Sequence, residues 1–261
     1  MNRLKSTITV LLALCAFWPA GARQGRQEEV LVSAASSLSE AFTGVARAFE
    51  ARDGARVILN LGASNALVRQ VQAGAPVDVF VSADDRQIDQ LGALLRPGSR
   101  VELASNQLVV VVPDDRPSGW TSIQGLLNPK VRRVAVGDPA GVPAGVYAKE
   151  YLTRIGLWAM LQPKVVPTGS VRLALAAVES GAVDAAVVYR TDAAVAKRSR
   201  VAWRVPHEEG PGIRYAAVAV RDAPNPAAAD RLLRFLRSPE VASLMQQAGF
   251  TPPLAAGPKS R

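Results

Sequence analysis

The sequence predicts an α/β protein of two lobes, with mostly parallel sheets flanked by helices and two extended crossings that act as a hinge between the lobes. Three observations carry that expectation. Short β-branched runs alternate with helical patterns along most of the chain, the signature of parallel sheets covered on both faces. The alternation breaks once, at "LVVVVPDDRPSGW" (Leu108–Trp120), where a long apolar run ends in a Pro-rich loop and a second strand–helix series begins. Near the end, "YAAVAV" (Tyr215–Val220) returns as a strand able to pair with that run, which makes the first lobe discontinuous.

The elements follow in order. Strands are expected at Val30–Ser33, Val57–Leu61, Val77–Val81, Gln107–Val112, Val134–Val136, Val165–Val166, Ala185–Val188, Ala202–Val205 and Tyr215–Val220, each a short run rich in valine or alanine. Helices are expected at Leu38–Ala51, Ala66–Ala73, Arg86–Leu91, Ala144–Ile155, Val171–Ser180, Ala227–Arg237 and Pro239–Ala248. The first is the clearest, because Leu38, Phe42, Val45 and Phe49 recur at spacings of three and four and share one face. These elements divide the chain into a first lobe of residues 29–109 and 214–253 and a second of residues 110–213, with a disordered tail at 254–261.

The first residues read as an export signal. Arg3 and Lys5 precede an apolar core from Ile8 to Trp18, and Ala20-Gly21-Ala22 supplies the small-x-small pattern for cleavage after Ala22. The apolar run is shorter than the roughly 20 residues that span a bilayer, so the expectation is a periplasmic protein with residues 23–28 as a flexible leader. The one cysteine, Cys15, lies inside the signal, and Leu14 stands before it where a lipoprotein signal wants a small residue. The mature chain therefore has no disulfide and no thiolate chemistry. Its roughly 230 residues are ample for a hydrophobic core in two lobes.

The net charge is +9, falling to +7 without Arg3 and Lys5. Such a surplus raises nucleic-acid binding, but the basic residues are scattered, as in "RLLRFLR" and "KVRRVAV", with acids between them and no interleaved aromatics. A solvated arginine-rich surface accounts for them, and no nucleic-acid partner is expected.

Function is sought at the carboxyl ends of the strands, beside helix N-termini, where open α/β sheets bind ligands. Ser36 and Ser37 follow the first strand; Ser64 follows the second, in "NLGASNALVRQ". "VGDPAGVPAGVYAKE" places Pro143 at a first helical position with Ala144 behind it, "PTGSVRLAL" brings Ser170 and Val171 to another helix start, and "AAVVY" ends a buried strand in Tyr189. These are helix starts with unpaired N–H groups, joined by hydroxyls, and they suit an anion. None of the positions is Lys, Arg or His, and helical rotation turns the nearby Arg172 and Lys149 away. The plainer reading of "SLSE" (Ser37–Glu40) is a capping box, with Ser37 as the cap and Glu40 reaching back, a device that contributes about 0.5–2 kcal/mol without any ligand. For one serine alone that reading is preferred; for several termini converging from two lobes, a binding site is.

The stretches "AASSLSEAF", "GASNALVRQVQAGAPVDVFVSAD", "NQLVVVVP", "VAVGDPAGVPAGVYAKEYL", "PTGSVRLALAAVESGAVDAAVVYRTDA" and "MQQAGFTPP" resemble the periplasmic molybdate-binding proteins of ABC transporters, over essentially all of Val30–Pro252. The resemblance implies a type II periplasmic binding fold that closes over an oxyanion, molybdate or tungstate, with no cofactor and with membrane permease subunits as partners of a monomer. By motif it implies ligand contacts from the hydroxyls of Ser37, Ser64 and Tyr189 and the backbone N–H groups of Ala144 and Val171. Molybdenum enters only as the oxyanion held by these residues. Two positions depart from the family pattern: Ser36 stands where alanine is commoner, so the contact falls on Ser36 or Ser37, and Asn65 replaces a common serine.

Five charge-assisted hydrogen bonds at roughly 1.5–3 kcal/mol each supply roughly 8–15 kcal/mol gross, and micromolar binding needs about 8 kcal/mol. Neutral donors therefore suffice if the closed cleft excludes water. A fully ionised tetrahedral dianion wants donors alone, whereas hydrogen phosphate also wants an acceptor; the one nearby carboxylate, Asp138, is expected to face backbone amides in its own turn. The rivals are a binder of another small anion such as sulfate or a sulfonate, an enzyme, and a protein-binding module. Catalysis is disfavoured because no G-x-S-x-G elbow or P-loop is present and the single histidine, His207, sits in a loop-like "VPHEEGPG". No apolar stripe supports the protein-binding module.

Overall fold

A computed structural model describes residues 27–116, 120 and 122–254. The expected export signal (residues 1–22), residues 23–26 of the expected leader and residues 255–261 of the expected tail lie outside the described residues. Gln27 and Glu28 are tied down: Gln27 donates to Gly54 O, and Glu28 pairs with Arg231.

In chain order the elements are β1 (Glu29–Ala35), α1 (Ser39–Asp53), β2 (Arg56–Gly62), α2 (Ser64–Gln72), β3 (Val79–Ser82), α3 (Asp85–Asp89), β4 (Val101–Ser105), β5 (Leu108–Pro113), β6 (Val134–Gly137), α4 (Pro143–Arg154), α5 (Trp158–Leu161), β7 (Val165–Thr168), α6 (Val171–Glu179), β8 (Ala185–Tyr189), α7 (Arg190–Ala194), β9 (Ser199–Arg204), β10 (Arg214–Ala219), α8 (Pro226–Phe235) and α9 (Pro239–Gln247). A 3₁₀ turn, Ser36–Leu38, leads from β1 into α1. The periodicity of α1 buries Phe42, Val45 and Phe49, and Gly54, at φ 84°, ends the helix in a conformation that a Cβ would strain.

Two five-stranded sheets result, in the orders β2-β1-β3-β10-β4 and β7-β6-β8-β5-β9. In the first, β1 lies parallel between β2 and β3; in the second, β6 lies parallel between β7 and β8. One strand enters each sheet antiparallel, β10 beside β3 and β5 beside β8. The chain passes from the first sheet to the second between Ser105 and Leu108 and returns between Arg204 and Arg214.

The structure corrects several sequence expectations. "YAAVAV" does not pair with "LVVVVP": β10 sits between β3 and β4, while β5 sits between β8 and β9. All of Leu108–Pro113 is buried, and a strand buried along its whole length needs ladder partners on both edges. The second sheet supplies them, so Leu108 and Val109 belong to it. Val101–Ser105 forms a strand that the sequence pattern does not announce, since "VELAS" carries only a weak alternation. β3 begins at Val79, two residues later than expected, because fully buried Asp78 uses its side chain to staple neighbouring segments. Its carboxylate accepts from the N–H groups of Leu31 (2.7 Å) and Asn225 (2.6 Å).

The larger core cluster runs through both sheets, with Phe42, Phe49, Leu103, Val110, Ala148, Val178 and Leu232 among its members. A second cluster under α2 and α3 gathers Leu67, Val68, Phe80, Ile88 and Leu91 against the other face of the first sheet. Both sheets are thus covered on their faces, and the carboxyl ends of β1, β2, β6, β7 and β8 are left to helix starts and short turns.

Candidate functional site

In each sheet the strand order reverses beside a central strand, β1 or β6, and such switch points open crevices at the carboxyl ends of the strands. The two crevices meet. Ser36 and Ser37 after β1, Ser64 after β2, Ala83 after β3, Val142–Ala144 after β6, Val171 after β7 and Tyr189 at the end of β8 line one pocket. All five residues named for contact, and Ser36 with them, are therefore brought together. Ser37, Ser64, Ala144, Val171 and Tyr189 are each at most 4% exposed.

Each side chain has a reason for its place. Ser37 is not a cap: α1 starts from Leu38 with no side-chain cap, and Glu40 pairs with Arg172 instead of reaching back. The capping box read from "SLSE" does not form, because the intervening 3₁₀ turn carries Ser37 away from the α1 amides. Its hydroxyl instead lies 3.0 Å from the Tyr215 hydroxyl. Ser64 occupies the first turn of α2 and accepts from the Ala83 N–H at 3.3 Å, which leaves its own proton free to donate. Pro143 opens α4, so Ala144 lies in the first turn, and Val171 is the first residue of α6; helix geometry gives neither N–H an intrahelical partner. Ser170 is the true cap of α6, accepting from the Leu173 N–H.

Tyr189 is the most telling residue. Its hydroxyl oxygen is buried and has no hydrogen-bond partner among the described residues. Burial, reinforced by Tyr215, Tyr147 and the carboxylates of Asp192 and Asp84, pushes its phenol well above the ordinary range, so it stays a neutral donor. A buried phenol normally finds a partner; this one ends at a pocket lined by other donors.

Charge is kept out. No Lys, Arg or His lines the pocket. Arg172 is held by Glu40 at 3.0 Å and by fully buried Asp192 at 2.7 Å, and Lys149 lies over the Trp158 ring at 5.8 Å. Burial raises Asp192 to about 6 against the opposing pull of Arg172. Near neutral pH the group of Glu40, Arg172 and Asp192 therefore carries no positive surplus to attract an anion. Asp138 is exposed and accepts from the Ala140 N–H at 2.9 Å, in its own turn as expected. Asn65 does not line the pocket but packs on Gly141, whose added Cβ would lie 2.8 Å from the Asn65 amide nitrogen.

Contacts between the two sheets' halves surround the pocket. Glu40 of α1 grips Arg172 of α6, and Arg86 of α3 bridges Asp84 and Glu150 of α4. Gln87 donates to Gly141 O at 3.5 Å. Sequence reasoning missed these clasps, and it missed the polar support behind Ser37, formed by Tyr215 and Asn106. For Tyr215 a signal existed: a tyrosine heading the apolar run "YAAVAV" brings a hydroxyl that must be satisfied.

Among the described residues no group of three or more His, Cys, Asp or Glu side chains could hold a metal ion, and no helix is long and apolar enough to cross a membrane. His207 is exposed and does not line the pocket.

The family model for bacterial extracellular solute-binding proteins matches residues 30–251. The molybdate-binding protein ModA of Escherichia coli K12 is 36% identical over 250 residues, covering 92% of this chain and 95% of that protein. The solved periplasmic molybdate-binding protein of Azotobacter vinelandii aligns with a TM-score of 0.75 at 27% identity, over 86% of this chain and all of that one. The sulfate-binding protein SubI of Mycobacterium tuberculosis shares the fold, with a TM-score of 0.76 at 20% identity over 87% of each chain. By name these relatives are binding proteins, two for molybdate and one for sulfate. The chain belongs to the bacterial extracellular solute-binding protein family.

Proposed function

We propose that this protein captures molybdate, and tungstate of closely similar size, in the pocket between its two sheets and delivers the oxyanion to the membrane subunits of an ABC transporter. The observation that carries the reading is the partnerless, buried Tyr189 hydroxyl at a pocket whose other polar side chains are those of Ser36, Ser37 and Ser64, beside first-turn amides. Donors alone match a fully ionised tetrahedral dianion. The molybdate-binding relatives among the similar proteins favour molybdate over other oxyanions.

In this reading residues 29–107 with 214–253, and residues 108–213, act as lobes on a hinge, Leu108 and Val109 falling to the second lobe with the rest of β5. Ser37 and Ser64 approach the anion from one side; Ala144, Val171 and Tyr189 approach from the other. Closure expels water and brings Glu40 to Arg172 and Arg86 to Glu150, and the transporter recognises that compact form. Residues 1–22 direct export to the periplasm and are removed after Ala22, and the protein works as a monomer.

Calorimetry of the mature protein with molybdate, tungstate and sulfate tests the proposal. Molybdate and tungstate are expected to bind with micromolar or tighter affinity, about −8 kcal/mol or more, and sulfate at least a hundredfold more weakly. Equal affinity for sulfate would defeat the choice of molybdate and favour a general small-anion binder. No binding by any of the three would defeat the site.

A further inference from the structure

We propose that Tyr215 and Asn106 form a one-way hydrogen-bond relay that forces the Ser37 hydroxyl to act as a donor toward the bound anion, which makes Tyr215 a positioning residue for the site. The inference rests on the reading of the pocket as an oxyanion site and extends it from which residues touch the ligand to what fixes their polarity.

The direction follows from donor and acceptor chemistry alone. The Gln107 N–H can only donate, and it donates to Asn106 Oδ1 at 2.9 Å. That fixes the side-chain amide, so Asn106 Nδ2 faces the other way with two hydrogens to give. One goes to Thr191 Oγ1 at 2.9 Å and the other to the Tyr215 hydroxyl at 3.3 Å. The Tyr215 oxygen therefore accepts from Asn106, and its own proton turns to its remaining neighbour, Ser37 Oγ, 3.0 Å away. Ser37 Oγ then accepts from Tyr215, and its proton is left to point into the pocket. Ser37, Asn106, Thr191 and Tyr215 are all at most 3% exposed, so water does not compete for the links. Burial holds the Tyr215 phenol well above its ordinary range, and it remains protonated to donate. Ser64 reaches the same polarity by a shorter route, since it accepts from the Ala83 N–H.

The relay begins at Asn106 and Gln107, in the first crossing between the sheets, and it also takes in Thr191 of α7. The backbone of the crossing thereby sets the polarity of a ligand-binding hydroxyl. An anion that carries a proton of its own meets hydroxyls whose protons already point at it, so the relay works against singly protonated oxyanions.

A double-mutant cycle read by molybdate calorimetry tests this. Tyr215→Phe removes the hydroxyl but keeps the ring contacts with Tyr189 and Phe250, at centroid distances of 6.0 and 5.1 Å, so the fold is expected to survive. With Ser37 present, Tyr215→Phe should weaken molybdate binding about five- to tenfold. In a Ser37→Ala background the same change should cost less than about twofold, because the proton it directs is gone. Competition by phosphate at pH 5 to 6, relative to molybdate, should rise in Tyr215→Phe, where Ser37 is free to turn a lone pair to the ligand. Equal losses in the two backgrounds, or no loss with Ser37 present, would overturn the relay while leaving the molybdate site intact. A wild-type protein that does not bind molybdate would overturn the functional reading instead.

Discussion

Replacing Tyr189 with phenylalanine is expected to weaken molybdate binding about ten- to a hundredfold while leaving the thermal midpoint of the ligand-free protein unchanged or slightly raised. The two halves of this expectation have one cause. The hydroxyl has no partner within the described residues, so no contact that holds the fold together depends on it, and removing it costs the fold nothing. In the complex the same hydroxyl makes a charge-assisted hydrogen bond worth roughly 1.5–3 kcal/mol, which corresponds to the stated loss. Calorimetry and a thermal melt on the same sample separate the two. A hydroxyl with only a structural role would show the reverse: a lower midpoint and unchanged affinity.

Gly145→Ala is expected to have the largest effect of any single added methyl near the site. A Cβ at Gly145 would lie 1.7 Å from the Gly137 carbonyl oxygen and 2.4 Å from its carbon. Both obstacles are backbone, at the end of β6, and neither can swing aside. Relief requires α4 to back away from the strand, which pulls the Ala144 N–H out of the pocket. A loss of about 3–5 kcal/mol in stability is expected, read as a lowered denaturant midpoint, together with loss of molybdate binding by more than about a hundredfold. Gly44→Ala is the matched control. Its Cβ would meet nothing closer than Leu244 at 3.9 Å, within α1, and alanine there is expected to stabilise by about 0.5–1 kcal/mol. A Gly145→Ala protein as stable as wild type would show that α4 does not need its close approach to β6.

Most of the layering was legible because periodicity records burial. Phe42, Val45 and Phe49 could only be one face of a helix, and the valine runs could only be covered strands. Strand partnership was not legible. Leu108–Pro113 and Tyr215–Ala219 have similar apolar character, and nothing in either run says which sheet will flank it; long-range packing decided that. The helix starts that line the pocket could be found from Pro143, Ser170 and Ser64, since their residue types report local backbone geometry. The capping box at Ser37 misled because "SLSE" has the spacing of a cap, while in the structure a 3₁₀ turn over Ser36–Leu38 breaks the pattern and Ser37 bonds Tyr215 of β10, far away in sequence. The clasps Glu40–Arg172 and Arg86–Glu150, like the Asn106–Tyr215 link, join residues far apart in sequence. Sequence spacing holds no record of such pairs.

The most direct test of neutral donors holding a dianion between two sheets is anomalous diffraction at the molybdenum edge from crystals grown with molybdate. The account expects one strong peak enclosed by Ser37, Ser64, Tyr189 and the amides of Ala144 and Val171, with no arginine or lysine nitrogen within hydrogen-bonding distance of the oxyanion. A peak beside Arg96, Arg234 and Arg237 at the arginine-lined surface cavity, with none in the pocket, would contradict it.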